Sequence, residues 1–241
     1  MKAIILAGGD DTRLRPLTHG ISKLLLPVAG KPLIDYAIDN VLKCKMVDEV
    51  LIATSHMGHH EAAVRNYLEN TRDGIDYRII PTLGWGSGGD LKLVTTECNL
   101  KEPVVVAYGD IVTDVNVNSL VSAHDLNKTG SLSLFEVPSK DVSKFGMVVF
   151  DGQNISKFVE KPSIADSPSN IAHTGYFILD PKALDQISLS KFSLEKNGFP
   201  QWAEQGRLKG VRIVPSMWID IGSVHAYMKA NRMAEIILPP E

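Results

Sequence analysis

Short apolar, β-branched runs bounded by turn residues recur through the first half of the chain: Ala3-Ile4-Ile5-Leu6, Val50-Leu51-Ile52-Ala53, Tyr77-Arg78-Ile79-Ile80 and Val104-Val105-Val106-Ala107. Parallel strands buried on both faces have this character. Between the runs, apolar residues fall at helical spacing: Leu33-Ile34, Ala37-Ile38 and Val41-Leu42, then Ala62-Ala63 with Tyr67, and Leu91 with Val94. The alternation predicts an α/β fold, doubly wound and mainly parallel (Rossmann-like), with ligands at the carboxyl ends of the strands.

After about Gly130 the strand-like runs follow one another closely, as Ser131-Leu132-Ser133-Leu134-Phe135-Glu136-Val137, Met147-Val148-Val149-Phe150 and Ile155-Ser156-Lys157-Phe158-Val159. Turns such as Asp151-Gly152 between them predict antiparallel ribbons, an insertion that covers the sheet. A later strand, Thr174-Gly175-Tyr176-Phe177-Ile178-Leu179, leads to a helix started by Asp180-Pro181, and a helix over 224–236 ends before Pro239-Pro240. Without repeat, low-complexity tract or linker, the chain reads as one domain over 1–241. Within it, 1–130 form a mainly nucleotide-binding half, 131–222 a mainly sugar-binding half and 223–241 a C-terminal helix.

The composition supports one large domain: 241 residues, 44% hydrophobic and 22% charged, allow a substantial core. A formal net charge of -3 provides no overall basic field, which argues against nucleic acid or an anionic membrane surface as partner and makes any phosphate site local. No apolar run approaches the roughly 18 residues of a membrane span, and the apolar start is too short for a signal-peptide core, so a cytoplasmic location is expected. Cys44 and Cys98 have no CxxC spacing and read as packing residues.

The first strand runs into Gly8-Gly9-Asp10-Asp11-Thr12-Arg13-Leu14-Arg15. Two glycines let the backbone turn sharply and offer N–H groups to an anion, while Arg13, Arg15 and the later Lys23 supply positive charge. A solvated strand-to-loop turn with basic residues has the same local features. The longer stretch 6–34, including Ser22-Lys23-Leu24-Leu25-Leu26-Pro27-Val28-Ala29-Gly30-Lys31-Pro32-Leu33-Ile34, resembles the signature of the sugar-phosphate nucleotidyltransferase family. These are the sugar pyrophosphorylases that make nucleotide sugars, with the pattern LAGGxGTRLxPLT, a short gap, then PKPLLPVxGKPLI. The resemblance implies the nucleotide-diphospho-sugar transferase type of mixed sheet. It implies that Leu6, Ala7, Gly8, Gly9 and Thr12 surround the nucleotide, that Arg13 holds the β- and γ-phosphates, and that Lys23 contacts the reacting phosphates. Two departures stand out: Asp11 replaces the second loop glycine, and Ser22-Lys23-Leu24 replaces Pro-Lys-Pro. An aspartate beside a triphosphate repels it unless the carboxylate turns away or meets a cation.

Pro81-Thr82-Leu83-Gly84-Trp85-Gly86-Ser87-Gly88-Gly89-Asp90-Leu91 contains a formal GxGxxG, with Asp110 roughly where a dinucleotide-binding unit places an acidic ribose ligand. Against that reading, the unit does not follow the first strand and Pro81 interrupts the junction. The stretch also resembles the family's LGTAGAL segment, which implies nucleotide contacts at Pro81 and Gly86 and close approach of the sugar at Gly88.

Asp110 follows a hydrophobic strand, where a lone Gly-Asp is ordinarily a turn. Its resemblance to the family's GDxxxD element instead implies a Mg²⁺ ligand, a role suited to carboxylate oxygen. Asp220, in Trp218-Ile219-Asp220-Ile221-Gly222, resembles the family's WxDIG element and would be the second ligand; alternatively it caps a helix. Phe158-Val159-Glu160-Lys161-Pro162 resembles the xxEKP strand end, with Glu160 toward sugar hydroxyls and Lys161 toward the sugar phosphate. Gly146 matches the YGVV element, and Thr174 and Tyr176 the NxGxY element, with His173 and Thr174 as departures. His56, His59 and His60 read as a solvated helix start and carry no role.

The resemblance therefore implies an enzyme, a sugar 1-phosphate nucleotidylyltransferase. It would take an NTP and a sugar 1-phosphate, with Mg²⁺ on Asp110 and Asp220 and with Arg13, Lys23, Asp110 and Lys161 as catalytic residues. It leans toward the mannose 1-phosphate guanylyltransferase and glucose 1-phosphate uridylyl- or thymidylyltransferase branches. Two alternatives stand: a cytidylyltransferase acting on an alcohol phosphate, and a non-catalytic nucleotide-sugar-binding homologue. A homo-oligomer is left open. After Ile236 there is no room in this chain for an appended domain.

Overall fold

The computed structural model describes residues 1–9, 11–55 and 59–233, apart from the side chains of Ser55, His59 and His60. Asp10, the His56-His59-His60 cluster and the chain from 234 onward, including the expected end of the final helix and Pro239-Pro240, lie outside what is described.

The first half contains β1 (Lys2–Ala7), the short pair β2 (Pro27–Val28) and β3 (Lys31–Pro32), α1 (Leu33–Leu42), β4 (Glu49–Ser55), α2 (His59–Thr71), β5 (Tyr77–Thr82), α3 (Gly86–Glu97), β6 (Val104–Tyr108), β7 (Ile111–Thr113) and α4 (Val117–Ser122). The second contains β8 (Gly130–Glu136), β9 (Gly146–Phe150), β10 (Asn154–Glu160), β11 (Ile171–Leu179), α5 (Pro181–Leu184), α6 (Phe199–Glu204), β12 (Leu208–Arg212), β13 (Trp218–Asp220) and α7 (Val224–Arg232).

Nine strands form one sheet in the order β5-β4-β1-β6-β11-β8-β12-β10-β9. Pairing is parallel from β5 to β6 and between β8 and β12; β11 runs antiparallel to both β6 and β8. Alternate residues of one strand enter opposite cores. Ile4, Val104 and Val106 pack with Leu91 of α3 and with Phe199 and Trp202 of α6. Ile5, Val105 and Ala107 pack with α1, α2 and α4 through Ile34, Val64 and Leu120. Helices thus cover both faces, as expected of a doubly wound sheet. The chain passes from β1 outward through β4 and β5, then returns to β6 on the other side of β1. This reversal opens a crevice at the carboxyl end of β1, between its two neighbours.

The antiparallel half is present, but it extends the sheet edgewise instead of covering it. The reason lies in β11, which is buried along nearly its whole length, with Tyr176 in one core and Phe177 in the other. A strand apolar on both sides must be central. Pro81 does not interrupt β5: that strand is the sheet's edge, so a residue without N–H is accommodated there. No described helix is long and apolar enough to cross a membrane.

Candidate active site

The Gly-rich loop is braced by its own departures from the family pattern. Asp11 accepts a hydrogen bond from the Lys23 backbone N–H (3.2 Å) through its carboxylate, and one from the Thr18 hydroxyl (2.9 Å) through its carbonyl. Ser22 caps the 3-10 turn Lys23–Leu25 by accepting from Leu24 N–H (3.3 Å), and Leu24 is buried against α1. Asp11 therefore ties the two legs of the loop together. We expect Asp11→Gly to lower unfolding free energy by about 1 kcal/mol and to leave turnover within about threefold, one part-buried hydrogen bond being lost. Urea titration and initial rates check this, and a large rise in rate would show that the carboxylate opposes the phosphates.

The Lys23 ammonium, itself buried, meets the Asp110 carboxylate at 2.7 Å. Asp110 follows β6 at a point where Gly109 donates its N–H to the Leu6 carbonyl (2.9 Å), with a Cβ there only 3.0 Å from Ile5. The small antiparallel pair of β7 and β13 then sets Asp220 opposite Ile111, and the Ile221 N–H bonds the Asp110 carbonyl at 2.8 Å. Backbone pairing thus brings two aspartates from distant sequence to one place. Asp220 opens onto the cleft, yet its pKa is pushed up to about 6, first by desolvation and then by the Asp110 charge; Lys23, Arg13 and Lys161 pull the other way. Arg13 is close by: a Cβ on Gly222 would stand 3.0 Å from the Asp220 carboxylate and 3.4 Å from the Arg13 guanidinium.

Two adjoining cavities meet at Asp110. One, of about 370 Å³, is lined by Leu6, Ala7, Gly8, Gly9, Lys23 and Gly86; the other, of about 430 Å³, by Arg13, Gly146, Glu160, Lys161, Trp218 and Asp220. Lys161 pairs with Glu160 (2.9 Å), and its backbone sits at φ 47° with its N–H on the Phe145 carbonyl (2.9 Å). Gly146 leaves room for the Phe158 ring and for Glu160, whose Oε2 would be 3.1 Å from a Cβ. Lys144 and Lys196 also line the second cavity, so the local positive charge that the overall balance lacks is found here.

Several expected residues stand elsewhere. Thr174 and Tyr176 are fully buried: the Thr174 hydroxyl bonds Ser133, and Tyr176 belongs to the core beneath α1. Their neighbours His173 and Gly175 line the cavity instead. Gly88 does receive a close approach, but from this chain's own backbone. The Phe192 carbonyl accepts from the N–H groups of Gly88 and Gly89 (both 3.0 Å), and the Phe192 ring would be 2.5 Å from a Cβ at Gly88. Pro81 is exposed on the edge strand, and Thr12 begins the turn that carries Arg13; neither lines a cavity. Arg13 faces the second cavity, where the two adjoin, and not the first.

Tyr108, Ser87, Glu195 and His173 line the site without having been expected there. His173 is buried among Tyr108, Phe158, Phe177 and Phe199, and burial lowers its pKa to about 4. Neither ring nitrogen completes a hydrogen bond, although the Ser133 backbone approaches.

The family profile described as Nucleotidyl transferase matches residues 2–235. The chain is similar to a probable mannose-1-phosphate guanylyltransferase 2 of Arabidopsis thaliana, with 31% identity over 240 residues, covering 97% of this chain and 65% of that one. It is 32% identical over 231 residues to the mannose-1-phosphate guanylyltransferase catalytic subunit beta of Xenopus tropicalis, covering 92% and 61%. The chain thus spans less than two thirds of the length of these relatives. In fold it is similar to a putative glucose-1-phosphate thymidylyltransferase from Bacillus anthracis (TM-score 0.84, 24% identity, covering 100% of this chain and 98% of that one). An apo UDP-glucose pyrophosphorylase has a TM-score of 0.78 at 22% identity, covering 96% and 97%.

Proposed function

The chain belongs to the nucleotidyl transferase family, and from that premise we propose that it transfers a nucleotidyl group from an NTP to a sugar 1-phosphate, releasing pyrophosphate. The observation that carries this reading is the pair of adjoining cavities with Asp110, Asp220 and Lys23 at their junction. The attacking group is a phosphate oxygen, ionised near neutral pH, so no general base is needed. The task is to bring two anions together in line and to stabilise charge on the departing pyrophosphate. Lys161 meets the sugar phosphate. Lys23 and the N–H groups after β1 meet the nucleotide phosphates, and Arg13, beside Asp220, serves the point where the substrates adjoin.

The donor set at the junction suits Mg²⁺: two carboxylates, hard oxygen ligands, one of them held at a raised pKa by its neighbour. Among the described residues no third His, Cys, Asp or Glu joins them, so the remaining ligands would be substrate oxygens and water. When bound, the ion would neutralise charge shared between the two phosphates. Asp110 and Asp220 would hold it, while Lys23 balances Asp110 from the protein side.

The relatives' names make GTP with mannose 1-phosphate the first pair to try. Pyrophosphate release measured with Mg²⁺ across a panel of triphosphates and sugar 1-phosphates is expected to single out one pair. Release only with an alcohol phosphate and CTP, or with no pair at all, overturns the reading.

A further inference from the structure

The wall between the cavities is formed by Gly86, Ser87, Tyr108, Asp110 and Glu195, each of which lines both. Glu195 has no part in the reaction described above. It sits in a π-helical turn, Leu194–Gly198, capped by Ser193 and held in place by Phe192, which donates its N–H to the Trp85 carbonyl (2.8 Å). Oε1 of Glu195 accepts from the Tyr108 hydroxyl, and Oε2 accepts from the hydroxyls of Ser87 and Ser193, both at 2.7 Å. All three partners are neutral. Burial pushes the Glu195 carboxyl up, but these hydrogen bonds outweigh it and keep the group below its ordinary value, hence ionised. The same carboxylate pushes the Tyr108 phenol well up, so that oxygen stays protonated.

A negative charge here, between two phosphorylated substrates, repels every phosphate brought near it. Only an uncharged donor on a substrate suits it. A carboxylate offers about four acceptor positions, of which three are taken, and the Tyr108 oxygen keeps acceptor capacity after donating its proton. Where the NTP and the sugar 1-phosphate adjoin, the uncharged donors are the hydroxyls of ribose and of the transferred sugar, both vicinal diols. Resting on the proposed function, we propose that Glu195, with Tyr108, accepts a hydrogen bond from a substrate diol and sets the enzyme's requirement for that hydroxyl. A charged acceptor serves this end because a site built around it rejects an analogue lacking the hydroxyl, leaving a buried carboxylate unsatisfied.

The test compares kcat/KM for pyrophosphate release by wild type, Glu195→Gln and Glu195→Ala. Each is assayed with the preferred pair, with its 2′-deoxy and 3′-deoxy triphosphates, and with monodeoxy sugar 1-phosphates. Wild type is expected to prefer one hydroxylated substrate over its deoxy analogue by about 10- to 100-fold, the scale of one hydrogen bond to a charged group. Glu195→Ala is expected to bring that ratio near one, and Glu195→Gln, whose amide oxygen still accepts, to an intermediate value. The deoxynucleotide and deoxysugar arms report which diol is read. Activity that falls equally for parent and deoxy substrates in both arms makes Glu195 a brace for the Ser87–Ser193 contact and overturns the inference alone. No release by wild type with any pair overturns the proposed function as well.

Discussion

Asp220→Asn and Asp110→Asn should each lower pyrophosphate release at least about 100-fold in Mg²⁺, the scale on which a preorganised charge-stabilising group acts. Their stabilities should diverge. Asp220 stands beside a like charge, so its neutral variant should melt no lower than wild type when no divalent cation is present. Asp110→Asn takes the counter-charge from an ammonium that is only 7% exposed, and its melting temperature should fall. Turnover and thermal melts on the same preparations read both effects. Near-normal release by either variant would remove that aspartate from the reaction, and equal melting losses would show that the two carboxylates do not oppose each other.

The second large effect is on stability in acid. His173 titrates near 4 in the native protein and at its ordinary 6.5 when unfolded, so between those values the unfolded chain binds the extra proton. Nothing is lost above pH 6.5. As the pH falls from 6.5 to 4, unfolding free energy should drop by about 3 kcal/mol from this group alone, and no further below 4. His173→Phe, which fits an aromatic cluster and carries no titratable nitrogen, should lack this component while keeping the slope due to carboxylates. Urea unfolding at pH 7, 5.5 and 4.5 measures the difference, and parallel pH curves for the two proteins would place a proton on the native imidazole throughout.

The parallel half of the fold is legible in the chain because its strands differ sharply from the helical stretches between them. The position of the later strands is not. Hydrophobic alternation says which face of a strand is buried, not which neighbour it takes, and β11 is buried on both faces. That also misplaced Thr174 and Tyr176, since position in a motif does not separate a cavity wall from a core. Asp110, Lys161 and Asp220 were found through their motifs, and pairing of β7 with β13 explains how two of them converge. Glu195 left no comparable trace. It lies in Lys191-Phe192-Ser193-Leu194-Glu195-Lys196-Asn197-Gly198, which has neither strand nor helix period. The one local hint is a serine two residues ahead of it that caps a turn, with the buried Leu194 and Phe199 on either side. Gly88 was recognised as a place of close approach, but the approaching group was the chain's own Phe192 carbonyl, a contact that spans two distant segments.

The ladder of β7 and β13 also bears on how such a chain can change length. Trp218 pairs with Thr113, Ile219 with Val112 and Asp220 with Ile111, so the spacing of the two carboxylates depends on three backbone pairs and not on the chain between them. Residues inserted at the exposed Asp151-Gly152 turn, where Gly152 has open space around it, would leave that spacing untouched. A single residue inserted between Trp218 and Asp220 would reverse the face on which the second aspartate stands, and the site would be lost with every one of its side chains still present.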